Sequence, residues 1–254
     1  MGRSIDLNCD TGEGCGSDES ILPYVSSINI ACGYHAGDSA TMGKTVRLGM
    51  DYGVAIGAHP GLPDRANFGR REMPVSPREV YELVLAQIRS LAEIANAAGA
   101  AVTHLKPHGA LYNMAAKDQA LAAAIAEATR DFDSACILVG LAGSELIQAG
   151  KSAGLTTAGE AFADRTYQAD GSLTPRTQPG ALIHDPQLAA ERVVKMVLRS
   201  SVTSQQGTEI PLSADTICIH GDSPGAAQLA KTIRERLAQQ GIEAQPFTRK
   251  SHVS

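Results

Sequence analysis

The sequence contains no tryptophan, and aromatic residues make up only 4% of its 254 residues. Little is therefore on offer for stacking the bases of single-stranded nucleic acid. It also lacks any run of Lys or Arg, and its formal net charge is −5. With no basic footprint, a nucleic-acid partner is not expected. No apolar run reaches the roughly 18 residues that a membrane span requires. The start, MGRSIDLNCD, lacks the basic-then-apolar pattern of a secretory leader. A cytoplasmic chain with no membrane partner is the expectation. Five cysteines (Cys9, Cys15, Cys32, Cys136, Cys218) are odd in number and widely spread. That pattern fits reduced thiols, most of them small core residues, better than a disulfide framework.

Several catalytic signatures are missing too. Gly12-Glu13-Gly14-Cys15-Gly16 is rich in glycine but lacks the G-x-G-x-x-G spacing of a dinucleotide fold. The stretch Gly37 to Thr45 imitates a phosphate-binding loop, yet five residues separate its glycines where that loop needs four. No G-x-S-x-G elbow is present, so serine-hydrolase chemistry lacks its usual signature. Neither an internal repeat nor a shift in composition divides the chain.

What is present is an alternation of short apolar segments with longer helical patterns. Strands are predicted at Ser4–Asn8, Ser27–Ala31, Val54–Ala58, Ala101–Leu105, Cys136–Val139, Leu155–Gly159 and Thr216–His220. A capping box, Ser76-Pro77-Arg78-Glu79, opens a helix with apolar residues at Val80, Val84, Ile88, Leu91 and Ala95. Asp185-Pro186 and Ser223-Pro224 open two more, and weaker helical patterns cover Ser39–Tyr52, Asp118–Arg130 and Ser144–Ala153. Strand followed by helix, seven times, implies parallel strands with crossover helices. Polar residues follow nearly every strand, as in a barrel that builds its site from many βα loops. The expected fold class is α/β: a seven-stranded parallel βα barrel filling residues 1–254 as one domain. The longest irregular stretch, Ala161–Ile183, is expected to be functional or mobile.

The strand ends carry the chemistry. Asp6, Asn8 and Asp10 share one face of the first strand and are expected to look into the barrel. The loops after the next strands bring His35 and Asp38, then His59, then His104, Lys106 and His108, and finally His220. Such sets suit two chemistries. Neutral imidazoles with a carboxylate hold a transition metal that keeps a position open for water. The same groups serve metal-free acid/base work, with a carboxylate orienting each His. Spacing alone leaves both open. Lys106, Arg165 and Arg176 are the cations nearest the expected barrel mouth, and Arg favours carboxylate or phosphate. The helix start after Asp222 offers backbone N–H groups to an anion.

The motifs DLNCDTGEG, NIACGYHAGD, GAHPGLPD, HLKPHGALYN and GEAFADRTY, in this order, resemble those of the LamB/YcsF family. The resemblance spans nearly the whole chain. Only Ser201–Leu212 and the C-terminal tail carry no recognisable signature. It implies a barrel of the glycoside hydrolase/deacetylase type. It also implies the activity of a 5-oxoprolinase: ATP-dependent opening of 5-oxo-L-proline to L-glutamate, with two other subunits, B and C. ATP with Mg²⁺ would then be the co-substrate. Applied to this sequence, the expected catalytic floor is Asp10, His35, Asp38, His59 and His108. Asn8, Glu13, Lys106, Arg165 and Arg176 are expected to bind substrate or phosphate, and Asp6, Glu160 and His220 to hold any metal. Two other readings fit the residues: a stand-alone metal-dependent amidase or deacetylase, and a non-catalytic subunit that binds a small acid.

Overall fold

In the computed structural model, which describes residues 2–16, 18–221 and 225–247, seven parallel strands close into a barrel. Six follow in order: β1 (Arg3–Thr11), β2 (Ser27–Ala31), β3 (Ala55–His59), β4 (His104–Leu105), β5 (Ile137–Leu141) and β6 (Thr157–Phe162). β7 (Ser201–Thr203) and β8 (Glu209–Pro211) form a separate antiparallel hairpin. β9 (Thr216–Cys218) completes the ring, pairing with β6 on one side and β1 on the other. β10 (Ile242–Ala244) adds to the first residues of β1, Arg3–Ile5. Around the ring lie α1 (Asp18–Ile21), α2 (Ser39–Asp51), α3 (Pro77–Ala97), α4 (Gly109–Ala115), α5 (Gln119–Phe132), α6 (Glu145–Ser152), α7 (Pro186–Arg199) and α8 (Ala226–Gln239). None of the helices among the described residues is long and apolar enough to cross a membrane.

The helices begin where local chemistry dictates. Ser76 and Glu79 exchange side-chain and backbone bonds at the start of α3, and Pro77 takes the first turn. Asp118 and Asp185 cap α5 and α7 in the same sense. The expected start of α8 at Ser223-Pro224, like Asp222, lies outside the described residues.

The strands explain the site. Ile5, Leu7 and Cys9 of β1 join the large apolar core beneath the helices. The alternate residues Asp6, Asn8 and Asp10 therefore face the barrel interior. Ordinary barrels fill that interior with branched aliphatic layers. Here a small set, Ile137, Val139 and Ala158 with Phe247 packed against it, is apolar and separate from the helix-facing core. Above it the interior is polar, and Tyr112, Phe162 and Cys218 form a second small apolar group. Residues 163–185 are folded rather than loose. Bridges pair Arg165 with Leu182 and Tyr167 with Leu173, and the buried Tyr167 hydroxyl accepts the Phe162 N–H.

Candidate functional site

Lys106 leaves β4 and points its ammonium into the barrel, where it is almost wholly buried. It reaches Asp10 Oδ1 and Glu160 Oε1, both at 2.9 Å, Asn8 Oδ1 at 3.1 Å and Cys218 Sγ at 3.2 Å. Burial works against its charge, but Asp10, Cys218 and Glu160 together hold it well above the ordinary lysine value. Asn8 ties the layer together. Its Nδ2 donates to Glu160 and Thr216, while its Oδ1 accepts from Asn29 and Lys106. Asn29 also donates to Asp10 Oδ1. Burial raises the Asp10 carboxyl, but His59 and Lys106 outweigh it and keep Asp10 well below the usual carboxylate range. Glu13, on the loop after β1, moves the other way. Burial and the neighbouring Asp10 charge push it up, against the pull of His59, His108 and Arg70.

Beside these carboxylates stand three imidazoles. His59 ends β3, His108 precedes α4, and His35 sits in the loop after β2. His35 and His108 stack face to face, 3.8 Å between centroids and 2° between planes, and His59 meets both edge-on. Burial holds His35 and His108 down to about 3, so both are neutral. The stack fits because position 69 is glycine. A Cβ there would lie 2.7 Å from His35 Cβ and 3.0 Å from His108 Cδ2. Phe68 before it has φ 55, costly for a side chain of that size, and its carbonyl accepts the His108 Nε2–H.

Opposite, a cavity of about 480 Å³ is lined by Asp10, Glu13, His59, Lys106, His108, Tyr112, Phe162, Arg165, Arg176 and His220. That is within the range of small-molecule pockets, about 300–1,000 Å³. Arg165 is buried, gives one N–H to Thr174 O, and its Nε has no hydrogen-bond partner among the described residues. Arg176 is exposed on the same wall. His220 donates from Nδ1 to Asp164, 2.9 Å from both carboxylate oxygens. Although burial raises the Asp164 carboxyl, His220 and Arg176 hold it low.

The structure therefore gathers Asp10, Glu13, His59, Lys106, His108, Arg165, Arg176 and His220 around one space, with Asn8 behind Lys106 and His35 behind His108. Three expectations are corrected. Asp38 is not at the floor: it is exposed at the start of α2, where its carboxylate accepts the Thr41 N–H as the helix cap. Lys106 is surrounded by protein oxygens and a thiol, so it organises the interior rather than waiting for a substrate anion. Asp6, Glu160 and His220 do not converge as metal ligands. Asp6 accepts from Ser26, Ser27 and Thr216, Glu160 pairs with Lys106, and His220 with Asp164. Among the described residues, one group of His, Cys, Asp and Glu is close enough to share an ion: Glu13, His35, His59 and His108. Asp164, Tyr112, Phe162 and the Phe68–Arg70 turn also shape the site, although the sequence alone assigns none of them a role. Tyr112, Phe162 and Asp164 lie inside recognisable motifs, but the turn belongs to a loop with no helical or strand period to place it.

Fold and site define a βα-barrel protein with a small-molecule cavity at the carboxyl ends of its strands, floored by carboxylates and imidazoles. The profile of the LamB/YcsF family matches residues 5–252, and the chain belongs to that family. It is 56% identical over 247 residues to the 5-oxoprolinase A subunit of Geobacillus kaustophilus, covering 96% of each chain. The crystal structure of the lactam utilization protein of Thermus thermophilus superposes with a TM-score of 0.91 at 46% identity, over 96% of this chain and all of that one. T48 deacetylase shares the barrel fold alone: 14% identity and a TM-score of 0.51, over 96% of this chain and 87% of that one.

Proposed function

We propose that this chain works as one subunit of a 5-oxoprolinase, opening 5-oxo-L-proline to L-glutamate with ATP and Mg²⁺ and with partner subunits B and C. The observation that carries this reading is the cavity. It sets a guanidinium with a spare donor against two carboxylates displaced in opposite directions, in a chain so similar to a named 5-oxoprolinase component.

A five-membered lactam is an unactivated amide. Transfer of the γ-phosphoryl group of ATP to the lactam oxygen activates the ring carbon, a step that depends on positioning and charge stabilisation. Water then adds to that carbon, the ring C–N bond breaks, and the nitrogen takes a proton. The resulting acyl phosphate is hydrolysed by a second water to glutamate and phosphate. Asp10, held ionised, accepts the proton of the attacking water. His220, oriented by Asp164, delivers the proton to the departing nitrogen. Arg165 and Arg176 hold the substrate carboxylate or the phosphate. His35, His59, His108 and Glu13 complete the floor, and Lys106 fixes Asp10 in place.

In the complete three-subunit mixture, Arg165→Ala should raise KM for 5-oxo-L-proline more than it lowers kcat. His220→Gln should lower kcat by about 10²-fold with KM little changed. Steady-state kinetics of glutamate release check both. Unchanged kinetics in the two variants would remove this assignment of roles.

A further inference from the structure

The hydrogen bonds of the cavity imidazoles fix which nitrogens carry hydrogen. A carbonyl oxygen only accepts. His59 Nδ1, 2.7 Å from Lys106 O, is therefore an N–H, and so is His108 Nε2, 2.8 Å from Phe68 O. The two nitrogens left, His59 Nε2 and His108 Nδ1, face each other at 2.9 Å. Glu13 Oε1 stands 3.3 Å from His108 Nδ1 and 3.9 Å from His59 Nε2, and Asp10 Oδ2 is 3.3 Å from His59 Nε2. One ligand atom each from Glu13, His35, His59 and His108 lies within 4.8 Å of the others. Imidazole nitrogens and a carboxylate oxygen turned toward one small volume are the ligand set of a divalent transition cation.

We propose that Glu13 Oε1, His59 Nε2 and His108 Nδ1 hold one divalent transition cation, of the Zn²⁺ or Mn²⁺ class, with a coordination position left open toward the cavity. Their spacings of 2.9, 3.3 and 3.9 Å suit a tetrahedral ion with bonds of about 2.0–2.2 Å, whose ligands stand roughly 3.3–3.6 Å apart. Three protein ligands with one open place is the pattern of catalytic rather than structural sites. A backbone carbonyl behind each ligating imidazole is the outer support that metal-bound histidines require. His35 is not a fourth ligand. Lying flat against His108, it cannot share that ring's in-plane direction to the ion. Its Nε2–H instead reaches Glu13 Oε1 at 3.3 Å and orients the carboxylate, which leaves its Nδ1 as the bare nitrogen, with no partner among the described residues. His35 is thus a positioning residue. The inference rests on the proposed function only for the ion's use in opening the lactam; binding itself stands apart.

The test uses the full chain, stripped with a chelator, dialysed, and titrated with Zn²⁺ or Mn²⁺ while uptake is followed by calorimetry and elemental analysis. One equivalent per chain is expected, with a rise in melting temperature. Glu13→Gln and His108→Ala should each weaken binding by more than about tenfold, and His35→Phe, which keeps the stack but not the N–H, by about tenfold. Circular dichroism shows which variants are folded, and Glu13→Gln, at a loop position outside the strands, keeps the test usable where a histidine variant fails. No stoichiometric uptake by the parent chain, or uptake unchanged in a folded Glu13→Gln, overturns the proposal. Glutamate formation without bound ion removes the ion's use in opening the lactam and leaves the binding site to the titration. Stoichiometric binding in a complete mixture that forms no glutamate removes the functional reading alone.

Discussion

Asp6 is a carboxyl group kept where water cannot reach it. Burial outweighs the hydroxyls of Thr216, Ser26 and Ser27 that favour its charged form, and its pKa is pushed up from 3.8 to about 6. A carboxyl raised on folding favours the protonated state in the native protein. Its contribution is whole below pH 3.8 and is lost as the pH climbs through 6. By pH 7 the loss amounts to about 3 kcal/mol. Asp6→Asn should therefore gain stability relative to the parent chain between pH 4 and 7, read as the difference in urea midpoints across that range. A difference that does not vary with pH would show that Asp6 is not raised. The same residue shows how far single positions can be read without a fold. Strand alternation correctly turns Asp6, Asn8 and Asp10 inward. It does not say which layer each occupies, and Asp6 belongs to a hydroxyl-lined layer rather than to a metal set. Asp38 is ambiguous for a related reason. A carboxylate three residues after a histidine and just before a helical run serves a site or a helix cap equally well in sequence, and the bond to Thr41 N decides for the cap.

Among the elements, those with local signals are legible. β2 lies at Ser27–Ala31 as expected, and α3 begins at its capping box. Short elements outside the barrel ring are not. β7, β8 and β10 have three residues each, too few for a period, and they exist because neighbours supply their partners. α4, with seven residues, is also short. It nonetheless matters, since its start at Gly109 fixes His108 against the turn at Phe68. The caps give a clean comparison. Asp185 accepts from Gln187 N and Leu188 N at the start of α7. Asp185→Ala should cost about 1 kcal/mol by thermal melting and leave glutamate release unchanged. A loss of activity at unchanged stability would mean that α7 does more than support the wall.

The whole molecule is a barrel whose helix-facing shell is apolar and whose interior is charged. Such an interior is expensive unless every group is paired. Lys106, Asp10 and Asn8 meet that demand, Glu160 meets it through Oε1, and the network delivers Asp10 to the cavity in its ionised form. This division of labour explains why the fold is easier to read than the site. Apolar periodicity announces the shell along the chain, whereas the interior is assembled from β1, β2, β4, β6 and β9, and only closure of the ring decides which polar groups touch. The most direct measurement is glutamate formed from 5-oxo-L-proline and ATP by subunits B and C with the parent chain, with Asp10→Asn, and with no third subunit. Glutamate is predicted with the parent chain alone, Asp10→Asn falling to the level seen without the chain while remaining folded. Equal glutamate in all three mixtures would contradict the account.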